Sequence, residues 1–166
     1  GLLMDKFKAL GVKPVFLPMS DIYMALERGV VDGAHLSYDL CVSRRWGDMI
    51  KDIVPITMNT PNFYMVMNKK KWDSLPPDIQ QVFEEMSGDY AARQFDEYWK
   101  NAESAAKKKW ETEMGGVTTV FSKEQLEEID NQIMPVITGF VENSNIKNLQ
   151  KVYDRFVQLE KEYAIQ

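Results

Sequence analysis

The sequence holds a single cysteine, Cys41, and a single histidine, His35. A disulfide framework and an all-cysteine metal site are therefore excluded, and so is a zinc site built on a pair of histidines. No GxGxxG, GxxxxGKS/T or GxSxG run is present, so phosphate loops and nucleophile elbows lack their usual signatures. No apolar run approaches the roughly 18 residues that span a bilayer. Basic residues are the minority, 20 Lys+Arg against 25 Asp+Glu, which argues against nucleic acid as a partner. What is abundant is apolar: 45% of the 166 residues are hydrophobic, including 4 Trp, 7 Tyr, 8 Phe and 10 Met. That composition excludes intrinsic disorder, and a chain of this length can bury roughly 70% of its unfolded surface. The chain opens at Gly1-Leu2-Leu3 with no initiator Met or signal peptide, as a part of a longer polypeptide would.

Two unlike halves follow. Residues 1–75 read as α/β and residues 76–166 as almost wholly helical. Leu2, Leu3, Phe7 and Leu10 recur at helical spacing, with Gly11 as the stop. Residues 12–17 read as a strand near a sheet edge because they hold Pro14 and end at Pro18. Ser20 is the expected N-cap of a helix that Gly29 ends, and residues 30–36 return to an extended segment. Residues 52–58 alternate roughly, and the continuous apolar run 63–68 is of strand length. From Asp78 to Met114 there is no Pro and one Gly. A helix of that length would run about 55 Å, so it is expected to span two lobes or to bend at Gly88. Residues 117–121 read as a short strand. Ser122-Lys123-Glu124-Gln125 has the capping-box pattern, opening a helix to about Asn143 with Pro135 as an expected kink. A last amphipathic helix starts near Asn145.

Catalytic chemistry is sparse. Cys41 lies near His35 in sequence, and a thiolate–imidazole pair competes there with a small buried hydrophobe. Glu84-Glu85 and Glu127-Glu128 read as solvated helix faces, and Lys107-Lys108-Lys109, flanked by Glu103, Glu111 and Glu113, reads the same way. No enzyme and no cofactor is expected. A better candidate is the cluster of element ends between residues 17 and 39. Met19, His35, Leu36 and Ser37, with Asn62 before the 63–68 run, place a few polar groups among apolar ones, the make-up of a small-molecule pocket.

The run 17–33, Leu-Pro-Met-Ser-Asp-Ile-Tyr-Met-Ala-Leu-Glu-Arg-Gly-Val-Val-Asp-Gly, resembles the DctP-type substrate-binding proteins of tripartite ATP-independent periplasmic (TRAP) transporters. Further on, Asn68 and Trp72 match the family's Asn-x-x-x-Trp, and Leu75-Pro76 with Gln80 matches its Leu-Pro-x-x-x-Gln. The resemblance implies an α/β, periplasmic-binding-protein-like two-lobed fold, here a partial chain with a long lobe-spanning helix and a helical C-terminus. It further implies a periplasmic receptor that closes on a small organic acid and hands it to a membrane permease. The family's carboxylate-clamping Arg would fall just before Gly1, since the first arginine here is Arg28. Met19 stands at a pocket position that is often aromatic. Leu36 stands where the family usually has a ligand-binding Asn, which implies a different or more apolar ligand, and Asn62 matches a pocket-lining position. Taken alone, such a portion would expose apolar surface and form a homodimer or swap helices. The competing reading is a helical interaction or sensory module oligomerising through the 78–114 helix.

Overall fold

The computed structural model describes residues 1–163. Along the chain run α1 (Leu2–Ala9), α2 (Ile22–Glu27), α3 (Tyr38–Ser43), a 3-10 turn (Trp46–Asp48), β1 (Asp52–Ile53), α4 (Lys69–Asp73), α5 (Pro77–Glu85), α6 (Gly88–Glu113), β2 (Val117–Thr118), α7 (Lys123–Asn143) and α8 (Leu149–Tyr163). They sort into two compact units that cut across the compositional halves. The first takes Gly1–Phe16, Ile56–Asn59 and the chain from Val120 onward; the second takes Leu17–Pro55 and Thr60–Thr119.

In the first unit α1 packs against α7, and α8 contacts α7. The core is small: Met58, Ile133 and Val141 are its buried apolar side chains. Lys6 adds a tie by donating from Nζ to the Met58 carbonyl at 3.1 Å. The end of α1 shows why Gly11 sits where it does. Its φ of 77° permits the Val12 N–H to reach the Phe7 carbonyl and the Gly11 N–H to reach Lys8, a complete Schellman cap. The capping box at α7 is formed as expected, Ser122 Oγ accepting from the Gln125 N–H while Gln125 Oε1 accepts from the Ser122 N–H. Helix α7 continues through Pro135.

The second unit is organised on Trp110 of α6, which is fully buried together with Cys41 of α3 and Trp46 of the 3-10 turn. The Trp110 indole N–H donates to the Ile50 carbonyl at 3.1 Å, so the ring's polar atom is satisfied where its carbon face is packed. Two glycines let the backbone approach that ring: a Cβ on Gly116 would fall on the indole itself, and one on Gly47 would meet Met114 Cε at 2.8 Å. Lys51 fastens the same corner, donating to the carbonyls of Gly47 at 2.8 Å and Met114 at 2.7 Å. β1 and β2 pair in parallel, Asp52 opposite Val117 and Ile53 opposite Thr118.

The family-like motif from 68 to 80 builds a helical corner. Asn68 Oδ1 caps α4, Trp72 packs edge-on against Phe83, and Gln80 Nε2 donates to the Trp72 and Leu75 carbonyls. The apolar stripe continues from α5 into α6, but the helix is broken between Glu85 and Gly88, where Gly88 takes a φ of 58°. The break at Gly88 is thus a change of helix.

Three expected strands are absent. Residues 12–17, 30–36 and 63–68 have no regular secondary structure, and of 52–58 only Asp52–Ile53 pairs. Their composition suits strands, but a strand exists only where a neighbour takes its backbone N–H and C=O groups. Among the described residues, only β1 and β2 find each other. Phe63, Tyr64, Met65 and Val66 are 79–86% exposed as a result.

Candidate functional site

The most fully hydrogen-bonded part of the predicted site is the loop that enters α3. Ser37 is the N-cap of α3, with its hydroxyl oxygen accepting from the Leu40 N–H at 3.3 Å. The Tyr38 and Asp39 N–H groups both donate to one carboxylate, Glu103 of α6, at 3.0 Å to Oε2 and Oε1 respectively. The Cys41 N–H returns to the Ser37 carbonyl at 3.0 Å. The Tyr38, Asp39 and Leu40 donors at the head of α3 are therefore taken, and the anion its dipole attracts is already supplied by the protein.

A second set of contacts fixes the Tyr38 ring. It lies 5.7 Å from the Trp110 ring with Lys107 Nζ 6.0 Å above it. The Thr118 hydroxyl donates to Glu111 Oε1 at 2.7 Å, so its one proton is used and the Tyr38 hydroxyl is the donor across the 3.1 Å contact between them. Lys107 closes the network on Glu111 at 2.5 Å. Hydrogen bonding to Glu111 raises the Lys107 pKa, and bonds from Lys107 and Thr118 lower that of Glu111. Lys107 is thus an ordered partner of α3, whereas Lys108 and Lys109 lie on the exposed face expected for all three.

All five predicted site residues fall in the second unit. His35, Leu36 and Ser37 are contiguous and anchored through Ser37. Met19 is 48% exposed in the turn before α2, and Asn62 is exposed in the extended stretch before Phe63. Solvent reaches His35, yet the surrounding protein displaces enough water to lower its pKa below 6.5, so the imidazole is neutral at pH 7. The head of α2 differs from expectation: Asp21, not Ser20, is the N-cap, no side chain caps the helix, and Ser20 Oγ donates to Asp21 Oδ1 at 2.9 Å. Arg28 is the C-cap of α2, and Gly29, with φ 65°, completes a Schellman cap there through the Val30 N–H. The arginines of this unit, Arg28, Arg44, Arg45 and Arg93, are all exposed, and Arg45 pairs with Asp48 at 2.9 Å.

Cys41 resolves as the small buried hydrophobe. Burial pushes its thiol up to about 11, outweighing the opposing pull of Lys51. A thiol held protonated in the fold stabilises it fully below the unfolded value of 9.0 and loses that contribution as pH rises toward 11. Urea midpoints measured from pH 8 to 11 should therefore fall across 9 to 11 in the wild type and less steeply in Cys41→Ala. Parallel slopes for the two proteins would contradict the burial argument.

The residues that sequence reasoning passed over are Glu103, Glu111 and Trp110, all on α6. Their positions 103, 110 and 111, together with Lys107, fall on one helix face, which was the available signal. Among the described residues, no group of three His, Cys, Asp or Glu side chains is placed to hold a metal, and no helix is long and apolar enough to cross a membrane.

Residues 1–144 match the DctP family, described as bacterial extracellular solute-binding protein, family 7. The C4-dicarboxylate-binding periplasmic protein DctP of Rhodobacter capsulatus is 29% identical over 93 residues, covering 54% of this chain and 28% of that protein. An uncharacterised protein of Haemophilus influenzae is 29% identical over 107 residues, covering 64% and 33%. Among solved structures, a TRAP periplasmic solute-binding protein from Desulfovibrio salexigens superposes with a TM-score of 0.70 at 22% identity, covering 86% of this chain and 44% of that one. The chain thus spans about a third of the curated relatives it matches and under half of the solved neighbour. With the matched segment running through both compact units, the chain belongs to the DctP family of bacterial extracellular solute-binding proteins.

Proposed function

We propose that residues 1–166 are the C-terminal portion of a periplasmic receptor that binds a small organic acid and delivers it to the permease of a TRAP-type secondary transporter. The match of residues 1–144 to the DctP family carries the reading. The Rhodobacter relative, named for binding C4-dicarboxylates, supports a carboxylate as the ligand class. The exposed 63–66 run supports a chain whose partner segments lie in the remainder of a full-length receptor. Without that remainder, residues 1–166 self-associate, because apolar surface of this extent drives association. Met19, His35, Leu36, Ser37 and Asn62 line the ligand pocket in this reading, Leu36 giving it an apolar wall. Neutral His35 and the Ser37 hydroxyl contribute hydrogen bonds, while an arginine outside this chain clamps the carboxylate.

Thermal melting of the full-length receptor against succinate, other dicarboxylates, monocarboxylates and neutral sugars tests the proposal. A ligand at a hundred times its Kd adds about 2.7 kcal/mol to stability. The expected result is a rise in Tm with at least one acid and none with the sugars. A response flat across every acid would overturn the carboxylate assignment.

A further inference from the structure

We infer that Glu103 is a positioning residue for ligand binding, clamping the loop 35–37 to the long helix α6. The inference rests on the receptor reading above, because it assigns Glu103 a role in the same site. Three observations carry it. The Glu103 carboxylate takes the Tyr38 and Asp39 N–H groups together, one on each oxygen at 3.0 Å, and so fixes the direction of the backbone as well as its distance. These residues directly follow His35, Leu36 and Ser37, the contiguous part of the candidate pocket. The contact joins residues 64 and 65 positions apart, so α6 acts on the loop through space and not through local chain geometry.

The remaining supports of α3 do not duplicate this clamp. Ser37 Oγ reaches only the Leu40 N–H, one turn inward. The Tyr38 ring contacts to Trp110, Thr118 and Lys107 hold the side chain but leave the amides at the start of the helix without another acceptor. Removing the carboxylate releases two donors at a partly buried helix start, and the loop then moves to hydrate them. A pocket whose polar groups are displaced binds its ligand more weakly even where the fold persists.

The test uses the full-length receptor with Glu103→Ala and Glu103→Gln, and an Ile133→Val control that removes one methylene from the core of the other unit. Two readouts are taken at a temperature where all variants are folded: amide exchange at Tyr38 and Asp39, and calorimetric binding of succinate. Exchange in Glu103→Ala should accelerate by about tenfold or more, and succinate Kd should rise by a similar factor. Glu103→Gln, which keeps one acceptor oxygen, should fall between wild type and Glu103→Ala, and Ile133→Val should leave Kd unchanged. Accelerated exchange with Kd within twofold of wild type would overturn the inference by making Glu103 a stabilising contact only. Unchanged exchange would overturn it at the level of the clamp. Should wild-type receptor not bind succinate, Kd is measured with the acid that raises its Tm; a receptor that answers to no acid refutes the receptor reading, a result distinct from failure of the clamp, which unchanged exchange alone reports.

Discussion

Gly116→Ala is expected to destabilise the second unit by about 3 kcal/mol or more, the upper end of the range for overpacked cores. A Cβ at this position would lie within the van der Waals envelope of the Trp110 indole, on its Cδ2, Cε2 and Cζ2 atoms. Neither side can give. Trp110 is fully buried and held at its other edge by the bond from its indole N–H to Ile50, and Gly116 is tied by its own N–H to the Trp110 carbonyl at 3.1 Å. Two other glycines calibrate the result. At Gly47 a Cβ would meet the Met114 methyl at 2.8 Å, which can swing aside, and Trp110 Cδ1 at 2.9 Å, a lighter clash than the 2.1–2.5 Å approach at Gly116, so the alanine variant should cost less. At Gly139, inside α7, a Cβ meets nothing within 4 Å, and alanine should stabilise by about 0.5–1 kcal/mol through helix propensity. Urea denaturation followed by circular dichroism ranks the three. A Gly116→Ala midpoint indistinguishable from that of Gly47→Ala would refute the proposed seat of Trp110.

The second large effect concerns binding. On the receptor reading proposed above, residues 1–166 alone should bind succinate and other small carboxylates at least about a thousandfold more weakly than the full-length receptor, since the proposed bidentate guanidinium clamp lies outside them and its loss leaves the ligand's charge unpaired. The four arginines of the second unit face solvent. The amino terminus of α3, the other natural seat for an anion, is filled by Glu103. Calorimetry on both polypeptides measures the difference. Stoichiometric micromolar binding by residues 1–166 would show that the clamp lies within this chain and would redirect the search to those arginines.

What the sequence revealed and what it hid divide along a physical line. Local features were legible: the Gly11 and Gly29 stops, the capping box at Ser122 and the break at Gly88 each depend on a few adjacent residues. Strand identity was not, because residues 63–66 carry strand composition while pairing is a property of the neighbour. Glu103 was hidden for the opposite reason. On a helix rich in Lys and Glu it looks like surface charge, and only the approach of α3 to α6 turns it into a backbone acceptor. Of the predicted pocket, the structure gives residues 35–37 a fixed setting, whereas Met19 and Asn62 are defined only by their exposed places in the chain.

The order of folding follows from how the first compact unit is assembled. Its α1 lies early in this stretch of chain, yet its packing partner α7 begins more than a hundred positions later. Everything the second unit needs, from Leu17 to Thr119, lies in between. In a chain that enters its folding compartment from the N-terminal side, the second unit can acquire its Trp110 core while α1 waits with its apolar face uncovered until α7 arrives. That wait is the interval in which a chaperone has most to protect.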